Sequence, residues 1–266
     1  MKVALIGSGN MGRVLAQHLV KHCSLTIYNR GKEKGLKIAK ETGASFAASS
    51  EEAVLGADFV ILAMKPKDFK GIEKTVCLKK GQTLLSILAG VSLGTLRKAF
   101  GQEPSIVRMM PNTALAVSKG IIGFSQEGFL EEKIRKEIEY LFSEIGLLLW
   151  ISESRMDAFA ALAASSPAFV FVLMESMIES GVYLGFSAAE ARDIVLSVFE
   201  GCVALLKMSA KHPAELKMEI TSPGGMTIEG LRALEEGGIR AVIFDALDAT
   251  YQKSLKMTSE SEGKSS

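Results

Sequence analysis

Residues 3–15 read Val3-Ala4-Leu5-Ile6-Gly7-Ser8-Gly9-Asn10-Met11-Gly12-Arg13-Val14-Leu15, and the reading of this stretch decides the fold. Four apolar residues in a row predict a buried strand. After the glycines, Val14, Leu15, Leu19 and Val20 mark one face of a helix. Between the two, Gly7, Gly9 and Gly12 stand in the pattern GxGxxG, which gains its meaning from lying between a strand and a helix. Gly7 permits a tight turn, Gly9 lets backbone approach a pyrophosphate, and Gly12 lets helix and strand pack closely. Ser8, Asn10 and Met11 fill the turn, so the whole of Gly7–Gly12 is the expected phosphate cradle. The helix start adds free N–H groups and a partial positive charge.

Working outward, the same rhythm recurs through the first 150 residues. Short apolar runs fall at Leu25–Tyr28, Phe59–Met64, Thr83–Leu88, Ser105–Met109, Ile121–Phe124 and Leu147–Ile151, separated by amphipathic stretches such as Leu130–Ile145. Strands alternating with helices predict an α/β doubly wound domain with a mostly parallel sheet covered on both faces. Its cofactor preference is written at the end of the second run. A site for NAD places an acid there to accept from the ribose hydroxyls. Here the residues are Tyr28-Asn29-Arg30, followed by Lys32 and Lys34. With cations in place of an acid, Asn29 and Arg30 favour NADPH and its 2′-phosphate and leave NADH as the second choice. The loops Ala63-Met64-Lys65-Pro66 and Leu88-Ala89-Gly90 fall where strands end, and are expected to border the nicotinamide half.

The texture changes near residue 152. From Glu153 to about residue 257 the pattern is all helical, with turn signals at Gly185-Phe186-Ser187 and His212-Pro213. Phe169–Leu184 is apolar around most of its circumference, too much for a domain of this size to cover, so a second subunit is expected over it. The tail, residues 258–266, has the Ser, Glu, Gly and Lys composition of a disordered segment.

Composition removes other classes. The 266 residues carry 31 Lys+Arg against 30 Asp+Glu, a net charge of +1, which gives no electrostatic footprint for nucleic acid. Cys23, Cys77 and Cys202 are odd in number and form no close pair, as expected of free thiols in a reducing compartment. The apolar N-terminal run is too short for a signal peptide, and the uncharged stretch Ala158–Met174 is too short for a bilayer span. A cytoplasmic protein without membrane or nucleic-acid partners is expected. His18 and His22 stand four apart on the first helix, but no third ligand is placed with them, so no metal site is predicted.

The helical half lacks the groups that alcohol chemistry needs. Between Lys136 and Lys207 there is no Lys, and between His22 and His212 no His. Reduction of a protonated C=N bond needs neither as a proton donor, only a group that holds and polarises the nitrogen. Thr221-Ser222-Pro223-Gly224-Gly225-Met226-Thr227 suits that task, with hydroxyls and a glycine turn just before the helical pattern Ile228–Glu236. N–H groups around Gly225, Met226 and Thr227 can take a small carboxylate, as any helix start can.

Four segments taken in order resemble the pyrroline-5-carboxylate reductase family: IGSGNMG at the N-terminus, VRMMPNT at Val107–Thr113, SPAF at Ser166–Phe169, and ITSPGGMTIEGL at Ile220–Leu231. The resemblance covers about residues 1–257 and is most specific at Ser-Pro-Gly-Gly-x-Thr. It implies a Rossmann domain over 1–152 followed by a helical dimerisation and substrate domain over 153–257. It also implies NAD(P)H-dependent reduction of L-1-pyrroline-5-carboxylate, a small cyclic imino acid, to L-proline by a homodimer or larger homo-oligomer. By position, Ser222, Gly225, Met226 and Thr227 would grip the substrate carboxylate, and the Thr227 hydroxyl would bond the ring nitrogen. Ala63, Lys65, Pro66, Ala89 and Asn112 would lie beside the cofactor. Two departures stand out. Ala164-Ser165-Ser166-Pro167-Ala168-Phe169 replaces the family's usual Gly-Ser-Gly-Pro-Ala-Tyr, and Met-Pro-Asn-Thr is followed by Ala114 where Pro is usual. Two rivals fit less well. A β-hydroxyacid dehydrogenase would carry a Lys on the long helix, where Phe169–Leu184 has none, and a non-catalytic NADP-binding sensor would have no use for Ser-Pro-Gly-Gly-x-Thr.

Overall fold

A computed structural model describes residues 1–126 and 130–263 of the chain. The first unit alternates β1 (Lys2–Ile6), α1 (Asn10–Leu19), β2 (Ser24–Tyr28), α2 (Lys32–Thr42), β3 (Ser45–Phe46), α3 (Ser50–Val54), β4 (Phe59–Leu62), α4 (Phe69–Ile72), β5 (Thr83–Ser86) and α5 (Leu93–Phe100). It continues through β6 (Ser105–Pro111), β7 (Gly120–Gln126), α6 (Glu132–Leu141), β8 (Gly146–Trp150) and α7 (Met156–Phe159). The strands form one sheet in the order β3-β2-β1-β4-β5-β6-β7-β8, and β6–β7 is its one antiparallel pairing.

Parallel strands covered on both faces must be apolar throughout, and Phe59-Val60-Ile61-Leu62 is buried at every position. Alternate side chains feed two cores. Leu5, Ile27, Ile61 and Leu85 meet Leu15 and Leu19 of α1 and Ile138 and Leu141 of α6. Ile6, Val60, Leu62 and Leu84 meet Val54, Phe69 and Leu96 of α3, α4 and α5. Each such side chain contributes about 1.5–3 kcal/mol by leaving water. Every apolar run named above within the first 151 residues overlaps a strand, whereas β3, at two residues, is too short to leave a periodic signal.

The chain divides into two compact units, Met1–Ser165 with Thr250–Ser266, and Ser166–Ala249. The change of texture near residue 152 therefore precedes the observed division. Met156 is fully buried, and a Cβ built on Gly123 of β7 would lie 2.7 Å from the Phe159 ring, so α7 stays with the sheet. A π-helical turn, Ala160–Ser165, ends this unit.

The expected disordered tail needs a correction. Residues 258–261 belong to α12 (Ile239–Ser261), while 264–266 lie outside the described residues. The cause is Asp157, a buried carboxylate that accepts from Ser254 Oγ at 2.7 Å and Thr258 Oγ1 at 3.0 Å. Met257 packs on the backbone of Gly90, within 3.3 Å of where a Cβ would be. Composition describes what a segment can do alone, and these contacts are not local.

The second unit holds α8 (Ser166–Tyr183), α9 (Ala188–Ser209), α10 (Pro213–Glu219), α11 (Met226–Glu236) and the start of α12. Helices α8 and α9 form a hairpin, with Gly185 in the left-handed region and a capping box in which Ser187 and Glu190 bond reciprocally. Gly181 lets Ala191 approach closely. Very little is buried: α8 has no buried residue, and α9 buries only Ala191 and Val195. Phe171 and Phe244 are 65% and 76% exposed, an apolar surface that a single chain leaves to water. Glu153–Tyr183 is a helical run of 31 residues that contains an 18-residue window of mean hydropathy 1.7, long and apolar enough by length and composition to cross a membrane.

Candidate functional site

A cleft of about 940 Å³ opens at the carboxyl ends of β1, β2, β4 and β5, astride the point where the strand order reverses. Its floor is the turn after β1. The Gly7 N–H donates to the Tyr28 carbonyl at 2.8 Å, and Gly7 has φ +101°, where a side chain would also strike Ala63 and Met64 backbone. A Cβ on Gly12 would lie 2.4 Å from the Gly7 carbonyl oxygen, whereas Gly9 meets nothing within 4 Å and faces open space. The three glycines thus divide the work as expected: turn, approach and packing. Helix α1 starts after Gly9 with no side-chain cap, which leaves its first N–H groups for an anion. The buried Ser8 hydroxyl also lacks a partner.

Asn29 shapes the cleft from the end of β2. Its Oδ1 accepts the Ser8 N–H at 3.1 Å and its Nδ2 donates to the Gly31 carbonyl at 2.9 Å, so both ends of the amide bind backbone. Arg30 follows, with its side chain 82% exposed, and its Nη1 lies 2.8 Å from Asp68 Oδ1. Asp68 ends the 3₁₀ turn Pro66–Asp68, which begins after Lys65. Among the described residues lining the cleft, Arg30, Lys34, Lys65 and Lys67 face only two carboxylates, Glu51 and Asp68. The Glu51 carboxyl is held below its usual range first by a backbone hydrogen bond and then by the Ser49 and Ser50 hydroxyls, so it is charged at neutral pH. Ala63, Lys65, Pro66 and Ala89 line the cleft. A fully phosphorylated dinucleotide fits this donor set: a helix start for the diphosphate and surplus cations for a further phosphate.

Gly12 lies buried beneath the cleft, in its packing role, and one expected residue is placed differently. Asn112 does not line it: its Oδ1 accepts from the Ile121 N–H at 3.2 Å, and its Nδ2 donates to the Ala163 carbonyl at 3.1 Å. The amide thus ties the β6–β7 connection to the π-helical turn. Pro167 has no N–H for the carbonyl four residues before it, which is that of Ala163, and Asn112 supplies the donor.

Sequence reading missed an ion pair behind the Ala89–Gly90 loop. Arg108 in β6 is 3% exposed, and its Nη1 lies 2.5 Å from Glu153 Oε1. The same oxygen accepts the Leu93 N–H at 3.0 Å, at the start of α5. The signal was the charged Arg108 inside the otherwise apolar run Ile106–Met110, which is buried throughout.

The Ser222–Thr227 turn belongs to the second unit. The Gly225 N–H donates to the Ser222 carbonyl at 3.1 Å, Gly224 has φ +66°, and the Thr221 hydroxyl donates to the Lys217 carbonyl at 2.6 Å. Gly225 precedes α11, and no side chain caps the helix. Its first N–H groups thus have no side-chain cap, Ser222 and Thr227 are exposed, and Ser222 Oγ lies against Gly225, 2.2 Å from where a Cβ would be.

Elsewhere, burial and the neighbouring His22 lower the His18 pKa, and burial pushes the Cys23 thiol up to about 11. Among the described residues no group of three His, Cys, Asp or Glu side chains is placed to hold a metal.

Comparison with known proteins agrees with both halves. Residues 153–257 match the family model "Pyrroline-5-carboxylate reductase dimerisation", and residues 2–90 match "NADP oxidoreductase coenzyme F420-dependent". Pyrroline-5-carboxylate reductase of Aquifex aeolicus is 37% identical, with 97% of each chain covered. Two solved structures superpose over nearly the whole chain. The Streptococcus pyogenes 1-pyrroline-5-carboxylate reductase gives a TM-score of 0.90 at 31% identity, covering 96% of this chain and 98% of that one. The Plasmodium falciparum pyrroline carboxylate reductase with NADP bound gives 0.88 at 29% identity, covering 97% and 98%.

Proposed function

Because this chain belongs to the pyrroline-5-carboxylate reductase family, we propose that it reduces the C=N bond of L-1-pyrroline-5-carboxylate to give L-proline, with NADPH as its cofactor. The observation that carries this reading is the pairing of two anion-binding helix starts on one chain. One stands in the cleft among surplus cations, and the other is the uncapped turn before α11. The first suits the diphosphate of the cofactor, and the second a carboxylate the size of the substrate's.

NADPH, when bound, supplies a hydride to the imine carbon. The chain's own residues bind and orient. Gly7–Met11 cradle the diphosphate, Arg30 and Lys34 meet the 2′-phosphate, and Ala63, Lys65, Pro66 and Ala89 border the rest of the cofactor. Ser222 and the N–H groups of Gly225, Met226 and Thr227 hold the substrate carboxylate, while the Thr227 hydroxyl accepts from the N–H of the protonated ring nitrogen. That proton comes with the substrate, so the scarcity of Lys and His in the helical half is no obstacle. Holding two reactants in register accounts for most of the acceleration expected. Asn112 acts at one remove, fixing the turn Ala160–Ser165.

The working unit is a homodimer or larger assembly. The apolar surface left open on α8, α9 and α12 and the dimerisation match over 153–257 both support it. Covering that surface with a second copy accounts for the apolar run Glu153–Tyr183 without a bilayer and suits a soluble, cytoplasmic enzyme.

The test follows NADPH absorbance with pyrroline-5-carboxylate, for the wild type and Thr227→Ala. Turnover in the variant should fall by about 10- to 100-fold, the scale of losing an interaction made at the reacting centre, with NADPH binding unchanged. Wild-type turnover in Thr227→Ala removes the role of the hydroxyl, and absence of activity in the wild type removes the proposed reaction.

A further inference from the structure

The acid that is missing from the end of β2 enters the cleft from another loop. Asp68 stands after β4 on the 3₁₀ turn, where Pro66 fixes the backbone and the Asp68 N–H donates to the Lys65 carbonyl at 2.9 Å. Its side chain is 25% exposed and held in place, whereas that of Arg30 is 82% exposed and tethered at its tip by Asp68. Both residues line the cleft. The neighbouring Asn29 is uncharged and its amide is already held by Ser8 and Gly31, so the positive charge at the end of β2 comes from Arg30.

We propose that Asp68 sets how strongly the cleft discriminates between phosphorylated and unphosphorylated cofactor, by competing with the 2′-phosphate for Arg30. This rests on the dinucleotide reading of the cleft but not on the imine reaction. A guanidinium held by a carboxylate must leave it, or share itself, before it can grip a phosphate, and the carboxylate left behind repels the phosphate. An adenosine with a free 2′-hydroxyl makes no such demand: Arg30 stays on Asp68, and the pair walls the pocket. Asp68 therefore weakens NADPH binding selectively and keeps NADH usable, a balance that the sequence Tyr28-Asn29-Arg30 alone does not predict. An exposed ion pair contributes up to about 1 kcal/mol, and every 1.4 kcal/mol is tenfold, so competition alone amounts to about five-fold.

The experiment measures binding of 2′-phospho-ADP-ribose and ADP-ribose by calorimetry to the full-length wild type, Asp68→Asn, Arg30→Gln and the double variant. Neither probe carries a nicotinamide, so the imine reaction plays no part. The expected result is that Asp68→Asn raises the affinity ratio, phosphorylated over unphosphorylated, by about five-fold. Arg30→Gln should lower it by at least as much, and the Asp68→Asn gain should shrink to less than half in the Arg30→Gln background. A ratio unchanged or lowered by Asp68→Asn overturns the proposal, and so does an equal gain with and without Arg30, since Asp68 would then act by repulsion alone. A wild type that binds neither probe overturns the dinucleotide reading itself, and the proposal with it.

Discussion

Replacing Glu153 with Ala leaves the Arg108 guanidinium in a nearly dry core without its counter-charge. Arg108 is 3% exposed and its neighbours across the sheet are Ser86 and Ser125, neither of which is anionic. Removing one partner of a buried ion pair costs about 3–5 kcal/mol, because the remaining charge keeps its desolvation penalty. Glu153 is 31% exposed, so water reaches part of the space it vacates, and the low end, about 3 kcal/mol, applies. The reverse substitution, Arg108→Met, should cost about half as much. The Glu153 side chain as a whole is 31% exposed and its Oε1 would keep the Leu93 N–H, although its Oε2 is buried without a partner. For a unit of this size about 3 kcal/mol lowers Tm by roughly 6–12 °C. Urea unfolding and thermal melts followed by circular dichroism, at matched protein concentration because association also stabilises, check both variants. The double variant Arg108→Met/Glu153→Leu should recover much of the loss. An Arg108→Met cost equal to or above that of Glu153→Ala, or a Glu153→Ala cost below about 1 kcal/mol, would refute the burial argument.

Two further predictions concern stability. The His18 pKa is lowered by burial first and then by His22, with Glu144 and the Leu141 backbone opposing, so the folded chain binds fewer protons than the unfolded chain. The stability this confers is complete above the ordinary imidazole value of 6.5 and is lost as pH falls below it. Tm should therefore drop between pH 7.5 and 5.5, and His18→Gln should flatten that slope in the same melts. Asp157→Ala removes the shared acceptor of Ser254 and Thr258 and should cost about 2–3 kcal/mol at the end of α12, visible as faster amide hydrogen exchange over 254–261 with the exchange of β1 and β4 unchanged.

The sheet was legible because a strand buried on both faces is mostly apolar, and Val3–Ile6 and Phe59–Leu62 are short unbroken apolar runs at the spacing of alternating strands and helices. The cradle was legible because glycines are demanded by contacts within a few residues or across one strand, as at Gly7 and Gly12. What sequence concealed were choices settled by distant partners. Asn112 reads as a ligand from its motif, yet its amide is taken by Ile121 and Ala163, and the missing N–H of Pro167 was the signal. Asp68 is one acid in a lysine-rich loop until the fold sets it against Arg30. Thr258 looks like the start of a polar tail until Asp157, a hundred residues earlier in the chain, captures it. The Ser222–Thr227 turn was visible as a turn, but not its geometry, in which Gly224 takes the left-handed conformation and the Gly225 N–H returns to the Ser222 carbonyl just before the helix.

The return of residues 250–263 to the first unit bears on how the chain comes off the ribosome. A Rossmann sheet is a natural candidate to fold during synthesis, as leading domains do. Here the carboxylate of Asp157 and the groove beside Gly90 stay open until the entire helical unit has been made, since Ser254, Met257 and Thr258 are translated only after it. The nascent sheet must wait with part of its surface uncovered. The contact of Met257 with the loop at Gly90 can form only as one of the last events of folding rather than one of the first.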